Sequence, residues 1–133
     1  MKYLIDTDIL IYLCSSKSKK LEKRFKRYNP DQFGISSITI GELIYGVNKS
    51  QEKGNNLQAI LKILSPFIVL DFTSKDGWVY GEIRAELEAK GQIIGGNDLL
   101  ISAQAKNRNL IVITDNVKEY KRIAGLKVEN WAI

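Results

Sequence analysis

Four acidic side chains occupy the places in this chain where a metal-dependent enzyme needs oxygen ligands. Each closes an apolar strand-like run or opens a helix-like one: Asp6, Glu42, Asp98 and Asp115. If strands and helices alternate, such positions converge at one end of a parallel sheet, because ligands collect outside the carboxyl ends of its strands. Hard divalent cations take oxygen ligands, so this pattern predicts a magnesium or manganese site.

The chain contains no histidine, which excludes several kinds of chemistry. A histidine acid–base pair, a Ser-His or Cys-His nucleophile and a histidine-based zinc site are all ruled out. Catalysis must use carboxylates, amines, hydroxyls or a bound metal. Carboxylates with a metal are the arrangement that this chain offers.

Each acidic residue also has a structural explanation. Asp8 is interpreted as the N-cap of a helix that begins at Ile9, in preference to direct metal ligation. Thr39 and Glu42 have the spacing of a capping box. Asp98, at the start of a predicted helix, would complement the helix dipole.

The fourth acidic position, Asp115, would cap a helix from Val117, with Asn116 and Glu119 as a competing cap pair. Singly, these structural explanations are favoured. Together they fail at Asp6, which ends a predicted strand and has no helix to cap until two residues later. A shared metal site is therefore the preferred interpretation.

Hydrophobic periodicity and turn residues predict alternating strands and helices. The predicted strands are residues 3–5, 33–36, 67–70, 110–114 and 126–128. The predicted helices are residues 9–14, 17–28, 38–48, 57–64, 73–90, 98–108 and 117–124. This order implies right-handed crossovers and a mostly parallel central sheet with helices on both faces. With 133 residues and 44% hydrophobic content, one α/β domain over residues 1–133 is expected.

The net charge of +5 suggests a polyanionic partner, either nucleic acid or an acidic protein. Much of the excess lies in residues 17–27, where Leu21 and Phe25 recur at helical spacing and basic residues fill the other faces. That surface is either a solvated helix face or a contact for phosphates. The single cysteine, Cys14, fits a reducing cytoplasm, and neither a secretory signal nor a membrane span is predicted.

Five segments carry a resemblance to a known family. In chain order they read YLIDTDILI, GELIYG, NDLLISAQA, VITDN and IAGLKVENW, at residues 3–11, 41–46, 97–105, 112–116 and 123–131. They resemble the PIN-domain family, and in particular the VapC-type toxins, across essentially the whole chain. Each segment is short, but five in this order are specific.

The resemblance implies an endoribonuclease dependent on Mg²⁺ or Mn²⁺, and a small homodimer held inactive by a VapB-like antitoxin. Carried over by position, Asp6 and Asp98 are the principal metal ligands and Glu42 is the third acidic member. The fourth is Asp115 or its neighbour Asn116.

Other polar residues are expected around these ligands. Asp8 stands where many relatives have Asn and adds negative charge to the site. Thr7, Ser37 and Thr114 would orient waters or phosphate oxygens, or would serve only as helix caps and backbone partners. A metal-activated water should leave a 5′-phosphate and a 3′-hydroxyl. The antitoxin is expected to bring a cation to the acidic cleft and apolar side chains to the surface around Leu43 and Tyr45.

Three alternatives stay open from the sequence. Asp6-Thr7-Asp8 and the Gly95–Asp98 run resemble a haloacid-dehalogenase-type phosphatase with Asp6 as nucleophile, but no Gly-Thr follows Asp8 and Glu42 would have no role. A second alternative is a module that binds RNA or protein without cleaving it. The third is a housekeeping RNA-processing nuclease of the PIN type. No motif identifies the RNA.

Overall fold

Five short strands form one sheet in the computed structural model, which describes residues 1–133. The strands are β1 (Tyr3–Ile5), β2 (Phe33–Ser36), β3 (Ile68–Leu70), β4 (Ile111–Ile113) and β5 (Lys127–Glu129). All pairings are parallel, in the order β3-β2-β1-β4-β5. The chain first builds the sheet outward from β1 to β3 and then returns to add β4 on the other side of β1. Binding sites in open α/β sheets form at such a reversal, at the carboxyl ends of the strands.

Seven α-helices and one 3₁₀ turn connect and cover the strands. The α-helices are α1 (Thr7–Ser15), α2 (Lys19–Phe25), α3 (Ser37–Lys49), α4 (Lys53–Leu64), α5 (Ser74–Ala89), α6 (Gly96–Asn107) and α7 (Val117–Tyr120). The 3₁₀ turn, Pro30–Gln32, leads into β2. No helix combines the length and apolar composition needed to cross a membrane.

Both faces of the three central strands, β2, β1 and β4, are largely buried, and side chains alternate between the two faces along each strand. Tyr3 and Ile5 of β1 pack with Leu10 of α1 and Phe25 of α2 on one face. Leu4, between them, packs with α6 and α7 on the other face. Helix α5 then packs against the outer side of α6 in a third apolar cluster. The predicted sheet with helices on both faces is confirmed, and it is wholly parallel.

The helices predicted over residues 17–28 and 117–124 are shorter in the structure, where they span Lys19–Phe25 and Val117–Tyr120. Ser16 adopts a left-handed conformation and ends α1, and the Ser18 hydroxyl then caps α2 by accepting from the Leu21 amide at 3.1 Å. The region 117–124 is helical only to Tyr120, after which three-residue turns lead to Gly125 at φ +79°. Local turns satisfy the backbone in both places, so the hydrophobic period overstated the helix length.

A buried ion pair holds α5 to the end of α6. Asp76 is 0% exposed and forms a capping box with Thr73. Its carboxylate also accepts from Asn107 at 2.8 Å and from Arg108 at 3.1 Å. Burial by itself raises the pKa of Asp76, but these hydrogen bonds outweigh it, and the net pKa lies below the ordinary value.

Replacing Asp76 with Ala should lower the free energy of unfolding by about 3 kcal/mol, because it leaves Arg108 and Asn107 without their buried partner. Since the pKa of Asp76 is lowered, its contribution is present above pH 3.8 and is lost as the pH falls through the folded-state pKa. Denaturant melts at pH 7 and pH 3 test both statements. An unchanged midpoint at pH 7 would contradict the role assigned to this pair.

Candidate metal centre

Asp6 lies between β1 and α1, beside the reversal of strand order, and is 4% exposed. Its carboxylate accepts three hydrogen bonds: from the Thr7 amide at 2.8 Å, the Thr114 hydroxyl at 2.7 Å and the Tyr120 hydroxyl at 3.1 Å. Burial raises the pKa of the Asp6 carboxyl, and these bonds oppose the rise without cancelling it. The side chain is therefore fixed in place while its charge is only partly compensated.

The interpretation of Asp8 as an N-cap is wrong. Helix α1 begins at Thr7, and Asp6 is the capping residue, with extended backbone angles and its side chain on the Thr7 amide. Asp8 instead lies in the first turn. The premise that Asp6 has no helix to cap is also wrong, because strand and helix share this residue.

Asp8 joins the acidic group instead. One carboxylate oxygen from each of Asp6, Asp8 and Asp115 lies within 4.8 Å of the other two. Burial raises the pKa of Asp8, and the negative charges of Asp115 and Glu42 raise it further. Three carboxylates from two strand ends therefore meet at one point.

Glu42 faces this group from α3, and its predicted capping box does not exist. Helix α3 begins at Ser37, capped by the Ser36 hydroxyl on the Ile38 amide at 3.0 Å, so Glu42 lies inside the helix. The Thr7 hydroxyl donates to Glu42 Oε1 at 2.7 Å and lies 3.1 Å from the Thr39 hydroxyl. This side chain is held by a contact across the site and not by its own helix end.

Asp98 is in the first turn of α6, where a negative charge also suits the helix dipole. The buried Tyr120 hydroxyl lies 3.2 Å from Asp98 Oδ1 and 3.1 Å from Asp6 Oδ1, so one phenol joins the two carboxylates. Burial raises the pKa of Asp98 to about 6, with contributions from the negative charges of Asp6, Glu119 and Glu42. The Tyr120 contact only partly offsets these effects.

Asp115 does not cap α7. Its carboxylate accepts from the Tyr12 hydroxyl of α1 at 2.7 Å, and α7 has no side-chain cap. The neighbouring Asn116 donates its side-chain amide to the Glu119 side chain at 3.0 Å, so this pair forms a contact but not the predicted cap. Of the two residues proposed for the fourth position, Asp115 is the one whose carboxylate meets Asp6.

Of the predicted supporting hydroxyls, Thr7 and Thr114 are in the site and Ser37 is not. Ser37 accepts from the Phe72 amide at 3.2 Å, between β3 and α5, and so serves the backbone. Tyr120 and Glu119 also lie at the site, although neither residue was predicted there from the sequence. Their only signal was their place three and four residues after Asn116, one helical turn beyond a predicted ligand segment.

The acidic cluster consists of Asp6, Asp8 and Asp115, with Glu42 and Asp98 beside them, and it fits a hard divalent cation. Its donors are all oxygens, and none of the four ion pairs in the structure involves any of its carboxylates. Burial is the main cause of the raised pKa values of Asp6, Asp8 and Asp98, and the negative charges of neighbouring carboxylates add to it, so a positive charge among them would be favourable. A magnesium or manganese ion would supply that charge and accept these ligands.

Replacing Asp98 with Asn should raise the free energy of unfolding of the metal-free protein at pH 7 by about 2 to 3 kcal/mol, because the ionised carboxylate is unfavourable there and each pKa unit corresponds to about 1.4 kcal/mol. The pKa is about 6 in the fold against an ordinary 3.8, so this cost is absent below pH 3.8 and complete above pH 6.

In chelator, the unsubstituted protein should therefore gain stability as the pH falls from 7 towards 4, and the Asn variant should lack this part of the gain. Denaturant melts across that range measure it. A variant that is less stable at pH 7 would mean that Asp98 serves mainly as a favourable helix-end charge.

Comparisons with known proteins agree with this fold. The family model of the PIN domain matches residues 3–126. Ribonuclease VapC2 of Rickettsia felis is 43% identical over 135 residues, covering 98% of both chains. The tRNA(fMet)-specific endonuclease VapC of Shigella flexneri is 38% identical over 132 residues, covering 99% of both chains.

A solved structure gives the same result in three dimensions. The crystal structure of VapBC2 from Rickettsia felis, bound to a DNA fragment from its promoter, contains a chain that superposes with a TM-score of 0.93 at 40% identity, covering 98% of this chain and 99% of that one. The residues that converge at the strand-order reversal are those on which the family resemblance was based. The chain belongs to the PIN-domain family, as a ribonuclease of the VapC type.

Proposed function

We propose that this chain is an endoribonuclease dependent on Mg²⁺ or Mn²⁺ that hydrolyses RNA phosphodiester bonds with an activated water and acts as the toxin of a VapBC-type pair. The observation that carries the proposal is the carboxylate cluster at the strand-order reversal, which has no cationic side chain to neutralise it. Relatives named as a ribonuclease and an endonuclease match this sequence over essentially their whole length.

Asp6 and Asp98 are proposed as the principal metal ligands, with Asp115, Glu42 and Asp8 around them. Asp6 is suited to this role because it is buried and held by three donors, so its position does not depend on the ion. A bound divalent ion lowers the pKa of a coordinated water and offsets charge on the attacked phosphate. The protein contributes a fixed set of oxygen ligands.

Two hydrogen bonds orient the carboxylates that would accept a proton from the attacking water. Thr7 occupies Glu42 Oε1, and the other Glu42 oxygen accepts no hydrogen bond from the protein. Tyr12 occupies Asp115 Oδ2 in the same way. Each carboxylate therefore keeps a free oxygen while its orientation is fixed, which suits the acceptance of a proton within the site.

The purified protein should cleave RNA with magnesium or manganese and lose this activity in chelator, because the chain has no other activated nucleophile. The products should carry a 5′-phosphate and a 3′-hydroxyl. Asp98→Asn should abolish cleavage while remaining folded, and Lys75→Gln, an exposed change on α5, should not alter it. Initiator tRNA is the first substrate to test, since the relative from Shigella is named for it.

The chemistry of the cut ends decides the mechanism. Products ending in a 2′,3′-cyclic phosphate would contradict the metal-activated water, because they arise when the ribose 2′-hydroxyl attacks. A phosphorylated adduct trapped at Asp6 would favour the phosphatase alternative, which the PIN fold already disfavours.

A groove beside the carboxylates supports the antitoxin partner. Its volume is about 360 Å³, and it is lined by apolar groups of α1, α3 and α4, including Leu43 and Ile60, with Glu42 among the lining residues. An apolar segment could fill it and extend a cation towards the acidic cluster, as the sequence predicted. Tyr45, the other predicted contact, is 63% exposed and available on α3. A VapB-like antitoxin is proposed to bind here.

Expression of this protein alone should arrest growth, and co-expression of a VapB-like neighbour should relieve the arrest, because the antitoxin would cover the groove and neutralise the carboxylates. Ile60→Arg, which puts charge into the groove, should leave cleavage intact and reduce the relief. If expression alone is harmless despite full ribonuclease activity in vitro, the toxin role is wrong and a housekeeping nuclease is the better assignment.

A homodimer and a cytoplasmic location complete the proposal. Free Cys14 requires no oxidising compartment, and an RNA substrate is found in the cytoplasm.

A further inference from the structure

The net positive charge of this protein is confined to one short segment, residues 17–27, here called the basic segment. It contains seven of the twenty Lys and Arg residues and one of the fifteen Asp and Glu residues. The segment therefore carries +6, and the remaining thirteen basic and fourteen acidic residues carry −1. The overall charge of +5 is thus a property of one place on the surface.

Six of these seven cations form no ion pair in the structure. Only Arg24 forms an ion pair, with Glu129 at 3.4 Å. The other six are exposed and have no acidic partner within ion-pair distance: Lys17, Lys19, Lys20, Lys23, Lys26 and Arg27. Like charges three and four residues apart destabilise a helix by a few tenths of a kcal/mol each, so α2 forms against this repulsion.

The inner side of α2 explains why the helix still forms. Leu21 and Phe25 are 0% and 9% exposed and belong to the main apolar core. Because both are buried, α2 presents no apolar face to insert into a membrane, which an interfacial helix requires. What remains outside is a predominantly cationic surface on a rigidly packed helix, with Glu22 as its one acidic residue.

Arg24 connects this surface to the sheet end that holds the carboxylates. Its guanidinium stacks 4.5 Å above the buried Trp131 ring and pairs with Glu129, the last residue of β5. The Glu129 carbonyl accepts from the Thr114 amide at 3.0 Å, and the Thr114 hydroxyl donates to Asp6. A short chain of contacts therefore fixes α2 relative to the acidic cluster.

We propose that the basic segment is the docking surface for the RNA phosphate backbone, gripping the substrate at a distance from the bond that is cut. This inference rests on the proposed ribonuclease function. The acidic cluster repels a polyanion, and six unpaired cations on the same molecule supply the compensating attraction. Charge–charge attraction of this kind requires no particular base sequence.

A matched pair of triple variants tests the inference. The basic triple is Lys19→Gln, Lys20→Gln and Lys23→Gln. The control triple is Lys53→Gln, Lys62→Gln and Lys75→Gln, which are exposed lysines of α4 and α5 outside every ion pair. Both lower the net charge from +5 to +2, and Gln keeps a helix propensity close to that of Lys.

Affinity for bulk tRNA is measured by fluorescence anisotropy across a range of salt concentrations, with Asp98→Asn present in every protein to prevent cleavage. The basic triple should reduce the slope of log affinity against log salt by about two, at about 0.7 for each lost phosphate contact, which is about a hundredfold in affinity at 0.1 M salt. The control triple should retain the slope. With Asp98 intact, the basic triple should raise KM and leave kcat unchanged.

If both triples weaken tRNA binding equally, net charge alone matters and the inference is wrong. If the basic triple has an unchanged KM, the segment does not contact the RNA and the inference is also wrong. A basic triple that keeps its tRNA affinity but loses affinity for polyglutamate likewise overturns the inference, because it would assign the segment to an acidic protein. These outcomes require a parent protein that cleaves RNA. A parent that neither binds nor cleaves any RNA would contradict the proposed function itself.

Discussion

The cost of burying the Asp6 carboxylate close to other carboxylates is the constraint that the rest of this structure must overcome. Asp6 is held between donors from three parts of the chain, namely the first turn of α1, the residue after β4 and the end of α7. Those hydrogen bonds fix the position of Asp6 but leave its pKa raised, because burial raises the pKa by more than the bonds lower it. The remaining stability has to come from the apolar cores on the two faces of the sheet.

A comparison with Asp76 shows that this cost belongs to the site. Both aspartates are nearly or fully buried, yet the pKa of Asp76 is lowered and that of Asp6 is raised. Asp76 accepts hydrogen bonds from Thr73, Asn107 and Arg108, which together outweigh its burial, whereas no cationic side chain reaches Asp6. An aspartate with an arginine stabilises the packing of two helices, and aspartates without one leave a place for a cation. In the function proposed for this chain, that place holds a divalent metal ion.

Tyr120 connects the hydrophobic core to the carboxylates of the site. Its ring fills the core beneath α6, and its hydroxyl lies between Asp6 and Asp98. Packing of one aromatic ring therefore places one hydroxyl within hydrogen-bond distance of both carboxylates.

The charges that the proposed function uses lie in two separate places. The clustered carboxylates lie at the ends of strands, and the unpaired cations lie on and around α2.

The sequence by itself determined the succession of strands and helices along the chain and the parallel α/β class, because hydrophobic period is a local property. It also predicted Asp6, Glu42, Asp98 and Asp115 as one group from their places at element ends. Only the tertiary structure decided which acidic residues cap a helix and which face the shared site. Asp6 and not Asp8 caps α1, Thr39 and Glu42 form no capping box, and Asp115 rather than Asn116 meets Asp6. Caps depend on the exact residue at which a helix begins, and periodicity locates that point only to within a few residues. Tyr120 could be assigned only in three dimensions, because its contacts with Asp6 and Asp98 span 114 and 22 residues of chain.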